Sequence, residues 1–343
     1  MDTLTQAVLG ASIGAAVAGH GERRRGAVWG AACGTLPDLD VLVPLGDPVS
    51  DFTWHRGYSH SLFVLSVAAP AIWWLISRLD FRARQRPRRW LALVWLALFT
   101  HPLLDAFTVY GTQLFLPFSD HPVSGSTVFI IDPAFTVPLA VGLGVALIVR
   151  EEHRARAAVV GGLTLAVAYL GLSVAAKLHV ERVARDALAD AGIAHGGVLT
   201  TPAPFNIVLW RIVAMEEGGY REGFYSLLDP PGTLSFERHE SRPELLDGIR
   251  DAWAVRRLAW FTHGFYRVSR QDDRIVMTDL RMGVEPVYVF SFAVGRLEGG
   301  GARAVEPQQL TPLRPGPGQV ARLLRRVAGP VASAEDSRTI PGS

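Results

Sequence analysis

Apolar residues gather along the first half of the chain in six stretches: Leu4 to Ala18, Ala27 to Leu45, Ser61 to Leu79, Trp90 to Phe107, Phe135 to Val149 and Ala155 to Ala176. A hydrocarbon core of about 30 Å needs about 20 mostly apolar residues as helix, so the pattern predicts a membrane bundle of about six spans. Beyond Ala176 a helix is expected to continue through Arg185 and Leu188 and to break at Gly192. The pattern then alternates as strands do. Ile207 to Met215 and Tyr220 to Leu228 flank Glu216-Glu217-Gly218-Gly219 as a hairpin, Arg274 to Met282 and Val287 to Gly295 form a second pair, and Arg242 to Trp260 has helical periodicity. The expected architecture is an α-helical membrane domain over 1–180, a soluble α+β domain with a sheet of four or more strands over 181–310, and a flexible tail over 311–343.

Charge sharpens this division. Of the 66 Asp, Glu, Lys and Arg residues, 25 fall in residues 1 to 176 and 41 in the rest. The composition excludes disordered, coiled-coil and collagen-like classes. A net charge of +2, with Lys177 as the single lysine, calls for no nucleic-acid partner. Cys33 is alone, which excludes an intrachain disulfide and a cysteine-based zinc cluster. The opening Met1 to Gly19 lacks a basic n-region and an A-x-A site, so it reads as a retained first helix. Gly10, Gly14 and Ala18 recur every four residues, a spacing that lets another helix approach closely. Three basic loops, at Arg23–Arg25, Arg78–Arg89 and Arg150–Arg156, fall on one face if the spans alternate. Arginine retention on the cytoplasmic side then places the C-terminal domain outside.

The ionisable residues that interrupt the apolar half converge on the opposite, outer face. They are Asp38 and Asp40, His55 and His60, His101 and Asp105, and Asp132. Such groups are costly near hydrocarbon unless paired or bound. His101 and Asp105 stand four apart and share a helix face. Asp38 and Asp40 share a direction only if Pro37 opens the backbone into an extended segment. Histidines with carboxylates and no thiolate suit Zn²⁺ or Mn²⁺ in an open site, where a bound water of lowered pKa can attack an ester or phosphoester. Asp38, His60, His101 and Asp105 are the expected ligands, with Asp40 and His55 either completing a second metal or serving as base and orienter. Arg56 is placed to grip a phosphate oxygen or to snorkel at the interface. Tyr110, Thr112 and Gln113 either line the substrate mouth or simply form a turn. Asp132 before Pro133 reads as a helix cap or an outer support. His20, His121, His153 and His179 read as interfacial, and His239 and His263 as isolated.

At these residues the chain resembles the membrane-bound metal-dependent hydrolases of the YdjM/DUF457 type found in bacterial inner membranes. The likeness rests on Met1-Asp2-Thr3-Leu4-Thr5-Gln6, Gly34-Thr35-Leu36-Pro37-Asp38-Leu39-Asp40, the His55 to His60 block, Thr100-His101-Pro102-Leu103-Leu104-Asp105, Tyr110-Gly111-Thr112-Gln113 and Asp132-Pro133. It implies an integral inner-membrane protein with a divalent-metal site and hydrolase chemistry. Many members carry a histidine where this chain has Gln6, a poorer ligand, so Gln6 is expected to support a ligand through a hydrogen bond. A site at the outer lipid–water boundary would meet a lipid-like ester or phosphoester. The rival readings are an ion or small-molecule transporter and a non-catalytic envelope scaffold stabilised by metal.

Overall fold

The computed structural model describes residues 1–19, 21–299, 301–312, 318 and 325–327. His20 and most of the expected tail lie outside the described residues.

The first two helices, α1 (Thr3–Ala18) and α2 (Arg23–Thr35), form a tight hairpin. Gly10 and Gly14 meet Gly30 and Gly26 backbone to backbone, so closely that a Cβ at any of them would clash with a carbonyl of the facing helix. The four-residue glycine spacing therefore marks a helix crossing. A 3-10 turn, Pro37–Leu42, then leads to the short helix α3 (Pro48–Trp54), which Asp47 caps by accepting from the Val49 and Ser50 amides. After a second 3-10 turn at Tyr58–His60 come α4 (Leu62–Leu79), α5 (Phe81–Gln85), α6 (Pro87–Ala106), α7 (Pro133–Ile148) and α8 (Glu152–Asp190).

The expectation of about six spans is corrected here. Among the described residues, two helices are long and apolar enough to cross a membrane, Leu62–Leu79 and Glu152–Asp190. Helices α1 and α7 have 16 residues each, roughly 24 Å at 1.5 Å per residue. The run from Ala27 to Leu45 breaks after Thr35 into the 3-10 turn. Helix α6 has the length, but Trp90, Leu93, Val94, Ala97 and Leu98 are buried against the protein, as in the core helix of a packed unit. Apolar sequence reports burial without saying whether protein or lipid does the burying.

The three arginine loops do meet at one end of this helical unit. Arg23 pairs with Glu152, Arg25 with Asp80, and Arg82 and Arg86 lie near the buried Glu22. The C-terminal ends of α2 and α6 and the N-terminal end of α4 lie at the other.

The C-terminal residues form two antiparallel four-stranded sheets and a two-stranded ribbon in place of one sheet. The first contains β1 (Gly197–Pro202), β2 (Leu209–Glu216), β3 (Gly219–Ser226) and β4 (Glu237–Glu240), in that order. The expected β2–β3 hairpin is present, with Glu216 opposite Gly219. Helical structure between Arg242 and Trp260 is confined to a 3-10 turn at Pro243–Leu246 and to α9 (Trp253–Phe261). The second sheet takes β5 (Tyr266–Gln271), β6 (Arg274–Asp279), β9 (Ser291–Glu298) and β10 (Gly301–Gln309) in the order β10-β9-β6-β5, and β7 (Gly283–Val284) pairs with β8 (Val287–Tyr288).

Two apolar clusters join the halves. Trp210, Ile212 and Tyr225 pack with Val180 and Ala184 of the C-terminal part of α8. Val49 and Phe52 of α3 sit in one cluster with Leu258, Phe261, Met277 and Phe292. An N-terminal segment thus completes the core of the second sheet.

Candidate metal centre

Four side chains from three separate segments converge at the end of the helical unit away from the arginines. Asp38 comes from the first 3-10 turn, His60 from the second, and His101 and Asp105 from successive turns of α6. One donor atom from each lies within 4.8 Å of the others. His101 Nε2 is 3.1 Å from His60 Nε2, 3.4 Å from Asp38 Oδ1 and 3.4 Å from Asp105 Oδ2. His60 Nε2 is 3.5 Å from Asp38 Oδ1 and 3.2 Å from Asp105 Oδ2. Donors arranged tetrahedrally about a zinc-sized ion, with bonds of about 2.0–2.1 Å, would be separated by roughly 3.3–3.4 Å, in line with these five distances.

Proton placement makes the same point. His101 Nδ1 lies 2.6 Å from the Gly34 carbonyl, which only accepts, so that nitrogen carries hydrogen. Ser59 donates its single hydroxyl proton to Asp40 at 2.5 Å, and its oxygen therefore accepts from His60 Nδ1 at 2.9 Å. As neutral rings, both turn Nε2 lone pairs toward each other and toward two carboxylates, and Asp105 Oδ2 is buried with no hydrogen-bond donor. Converging acceptors of this kind fit a cation, and the Nδ1 bonds fix each ring as outer partners of metal-bound histidines do. His60, His101 and Asp105 are fully buried.

The remaining sequence-derived residues surround these four in distinct ways. Asp40 faces away from the cluster. It accepts from His55 Nδ1 at 2.8 Å, from the Arg56 amide at 3.1 Å and from Ser59. Burial works against its ionisation, but the His55 contact and the Ser59 bond prevail and bring it down to about 2. Arg56 adopts φ 65°, a left-handed conformation unfavourable for a side-chain residue. The loop holds it there through the Asp40 bond and through its own carbonyl, which accepts from the Gln113 amide at 3.0 Å. Its guanidinium is buried 3.4 Å from Asp105, donates to Thr108 at 3.1 Å and lies over the Tyr110 ring. Gln6 donates to Asp105 Oδ1 at 3.0 Å, and the Met1 amino group also donates to that oxygen.

Tyr110 stands edge-on to His55 and donates to the Phe52 carbonyl at 2.6 Å. Thr112 and Gln113 are fully buried. Thr112 bridges to Val123 through backbone, and the Gln113 side chain donates to the Thr53 carbonyl, so Gln113 braces the segment that leads into the His55–Arg56 loop. Asp132 caps α7 by accepting from the Ala134 amide, with Pro133 at the first helical position, and also accepts from Tyr169. Ser59, Thr108 and the Gly34 carbonyl were not singled out from sequence. Ser59 adjoins His60 and was findable as its neighbour, whereas a carbonyl acceptor carries no side-chain signal.

A cavity of about 1550 Å³ opens beside Asp40, His55 and Arg56 and extends between the helical unit and the C-terminal sheets. Its walls are mostly apolar, and they include Arg211 and Arg281 from the second half of the chain.

With this geometry in view, comparison with known proteins decides the family. The model of the YdjM inner membrane protein family matches residues 1–180, more than half of the chain and all four converging donors. The chain belongs to the YdjM inner membrane protein family. It is also similar to the uncharacterized protein YfhP of Bacillus subtilis (strain 168), at 33% identity over 144 residues, or 39% of this chain. The match spans 42% of that relative's own length. No solved structure matches. Membership accords with the two apolar helices and with a group of Asp and His residues able to hold a metal ion.

Proposed function

We propose that this protein is a metal-dependent hydrolase that acts on an ester or phosphoester of a lipid-like substrate at the outer membrane–water boundary. The observation carrying this reading is the convergence of Asp38, His60, His101 and Asp105 with two bare imidazole nitrogens and an orphaned carboxylate oxygen. All-nitrogen and oxygen donors favour Zn²⁺, with Mn²⁺ as the other candidate. When bound, such an ion supplies a Lewis acid and a water of lowered pKa.

The chain's own residues supply the rest. His55 donates a hydrogen bond from Nδ1 to Asp40, which fixes the ring and leaves Nε2 to take a proton from water in the cavity. Arg56, held rigid by Tyr110 and Thr108, presents a guanidinium whose planar donors suit a phosphoryl oxygen. Burial of His60, His101 and Asp105 excludes bulk water and strengthens each charge interaction.

The arrangement of the arginines supports this sidedness. The basic ends of α4 and α8 lie together, and retention of arginine in the cytoplasm directs the site and the C-terminal sheets outward. The donors form one group at one depth, as expected for a site and unlike the chain of groups that a permeation path requires. The test is metal analysis of purified protein with hydrolysis of phospholipid and generic phosphoesters, comparing wild type with His101→Ala. Turnover by wild type, lost in the variant together with the metal, is the expected result. Equal turnover by both proteins removes the proposal.

A further inference from the structure

The cavity is larger than the roughly 300–1,000 Å³ of ordinary small-molecule pockets, at about 1550 Å³. Its charges are unevenly available. Arg211 directs its three nitrogens to Glu222, to the Leu280 carbonyl and to Tyr288, and Arg281 is held by Asp279 and the Tyr110 carbonyl. Arg56, at the end nearest the four donors, donates to Thr108 and rests its Nε 3.4 Å from Asp105 Oδ2, outside hydrogen-bond geometry, so it is the least saturated of the three guanidinium groups. One end of the cavity can thus receive an anionic group, and the rest offers hydrocarbon-like walls.

The rim is apolar as well. Val41, Leu42, Val43 and Leu45 follow the Asp40 turn without a charge among them, and Val41 and Leu42 are 72% and 74% exposed. Phe205, 50% exposed, and Val289 also line the cavity and reach the surface. Exposed large side chains collected around an opening mark a contact surface for something apolar. The membrane helix α4 begins at Leu62, two residues after the donor His60. The donor end is therefore at headgroup level, and the apolar rim is continuous with the boundary of the bilayer. Neither observation suits a soluble protein partner, which would leave the enclosed volume unfilled.

We propose that the cavity is a chamber for the hydrocarbon tail of a bilayer phospholipid, which enters over the Val41–Leu45 lip and places its phosphoester against Arg56. This rests on the hydrolase reading for the identity of the reacting bond, but tail binding is measurable without turnover. The protein is reconstituted in phosphatidylcholine vesicles containing phosphatidic acid with a diazirine near the end of one acyl chain, irradiated, and mapped by peptide mass spectrometry. Crosslinks are expected on chamber walls such as Ala203, Phe224 and Met282. Ala203→Trp should reduce them at least tenfold by filling the volume. Leu42→Asp, an exposed substitution that leaves the core untouched, should reduce them similarly by wetting the lip. Crosslinks confined to α4 and α8, or undiminished in both variants, overturn the chamber. Metal content of the same samples reports separately on the donors: wall crosslinks without bound metal would keep the chamber and remove the hydrolase, and bound metal without wall crosslinks would do the reverse.

Discussion

Two of the buried charge clusters among the described residues, one at the end of α6 and one between β2, β3 and β8, are built on opposite principles. In the second, Arg211 donates to Glu222, the Leu280 carbonyl and Tyr288, while Tyr220 donates to Glu285, which also receives Arg267. Each nitrogen of Arg211 has its own acceptor, and the nest explains itself as structure. In the first, two imidazole nitrogens and two carboxylates face a common centre with no proton to share among them. Buried polarity alone therefore says little about function. An imbalance between donors and acceptors, aimed at one point, is what indicates a missing ligand.

Breaking the acceptor-rich nest should produce the largest change. Asp38→Ala is expected to lose stoichiometric metal and to lower hydrolysis by on the order of 10³-fold, the several kcal/mol that a metal contributes to transition-state charge. A chelator should lower the melting temperature of wild type and leave that of the variant unmoved. In the self-satisfied nest, Glu222→Ala strands a buried guanidinium and should cost about 3–5 kcal/mol in denaturation of the detergent-solubilised protein. The metal-to-protein ratio of the folded fraction should stay unchanged, and a drop in that ratio would mean that the two nests are coupled. Asp40→Asn keeps the shape but weakens the bonds that orient His55 and, through Ser59, His60. Metal affinity measured by competition should fall about 10–100-fold. At the small end, Asp47→Ala removes the cap of α3 and should cost about 1 kcal/mol, read by thermal unfolding, without displacing metal.

Local signals were legible in the sequence. The His101–Asp105 spacing needed only helix geometry, the hairpin at Glu216–Gly219 needed only its turn residues, and the long helix past Ala176 ended near the glycine expected to stop it. What depends on distant packing was not. Six apolar runs read alike, yet α6 spends its apolar residues on neighbouring helices and α2 gives way to a 3-10 turn. Nothing in Pro48–Trp54 shows that Phe52 belongs to the core of a sheet built more than 200 residues later. The Asp38 and Asp40 side chains diverge because the 3-10 turn sends them to opposite edges of His60, 3.5 Å from its Nε2 and 3.6 Å from its Nδ1. A bare i, i+2 spacing does not contain that arrangement.

Helix α8 runs unbroken for 39 residues, roughly 58 Å at 1.5 Å per residue. It is the longer of the two described helices that are long and apolar enough to cross a membrane, and its last turns carry the first sheet, so both parts obey a single screw axis. Adding one amino acid between Lys177 and Val180 would advance everything beyond it by about 1.5 Å and swing it by about 100°. Val180 and Ala184 would leave Trp210, and the roof over the cavity would turn away from its floor. The pitch of one helix thus sets the alignment of the two halves.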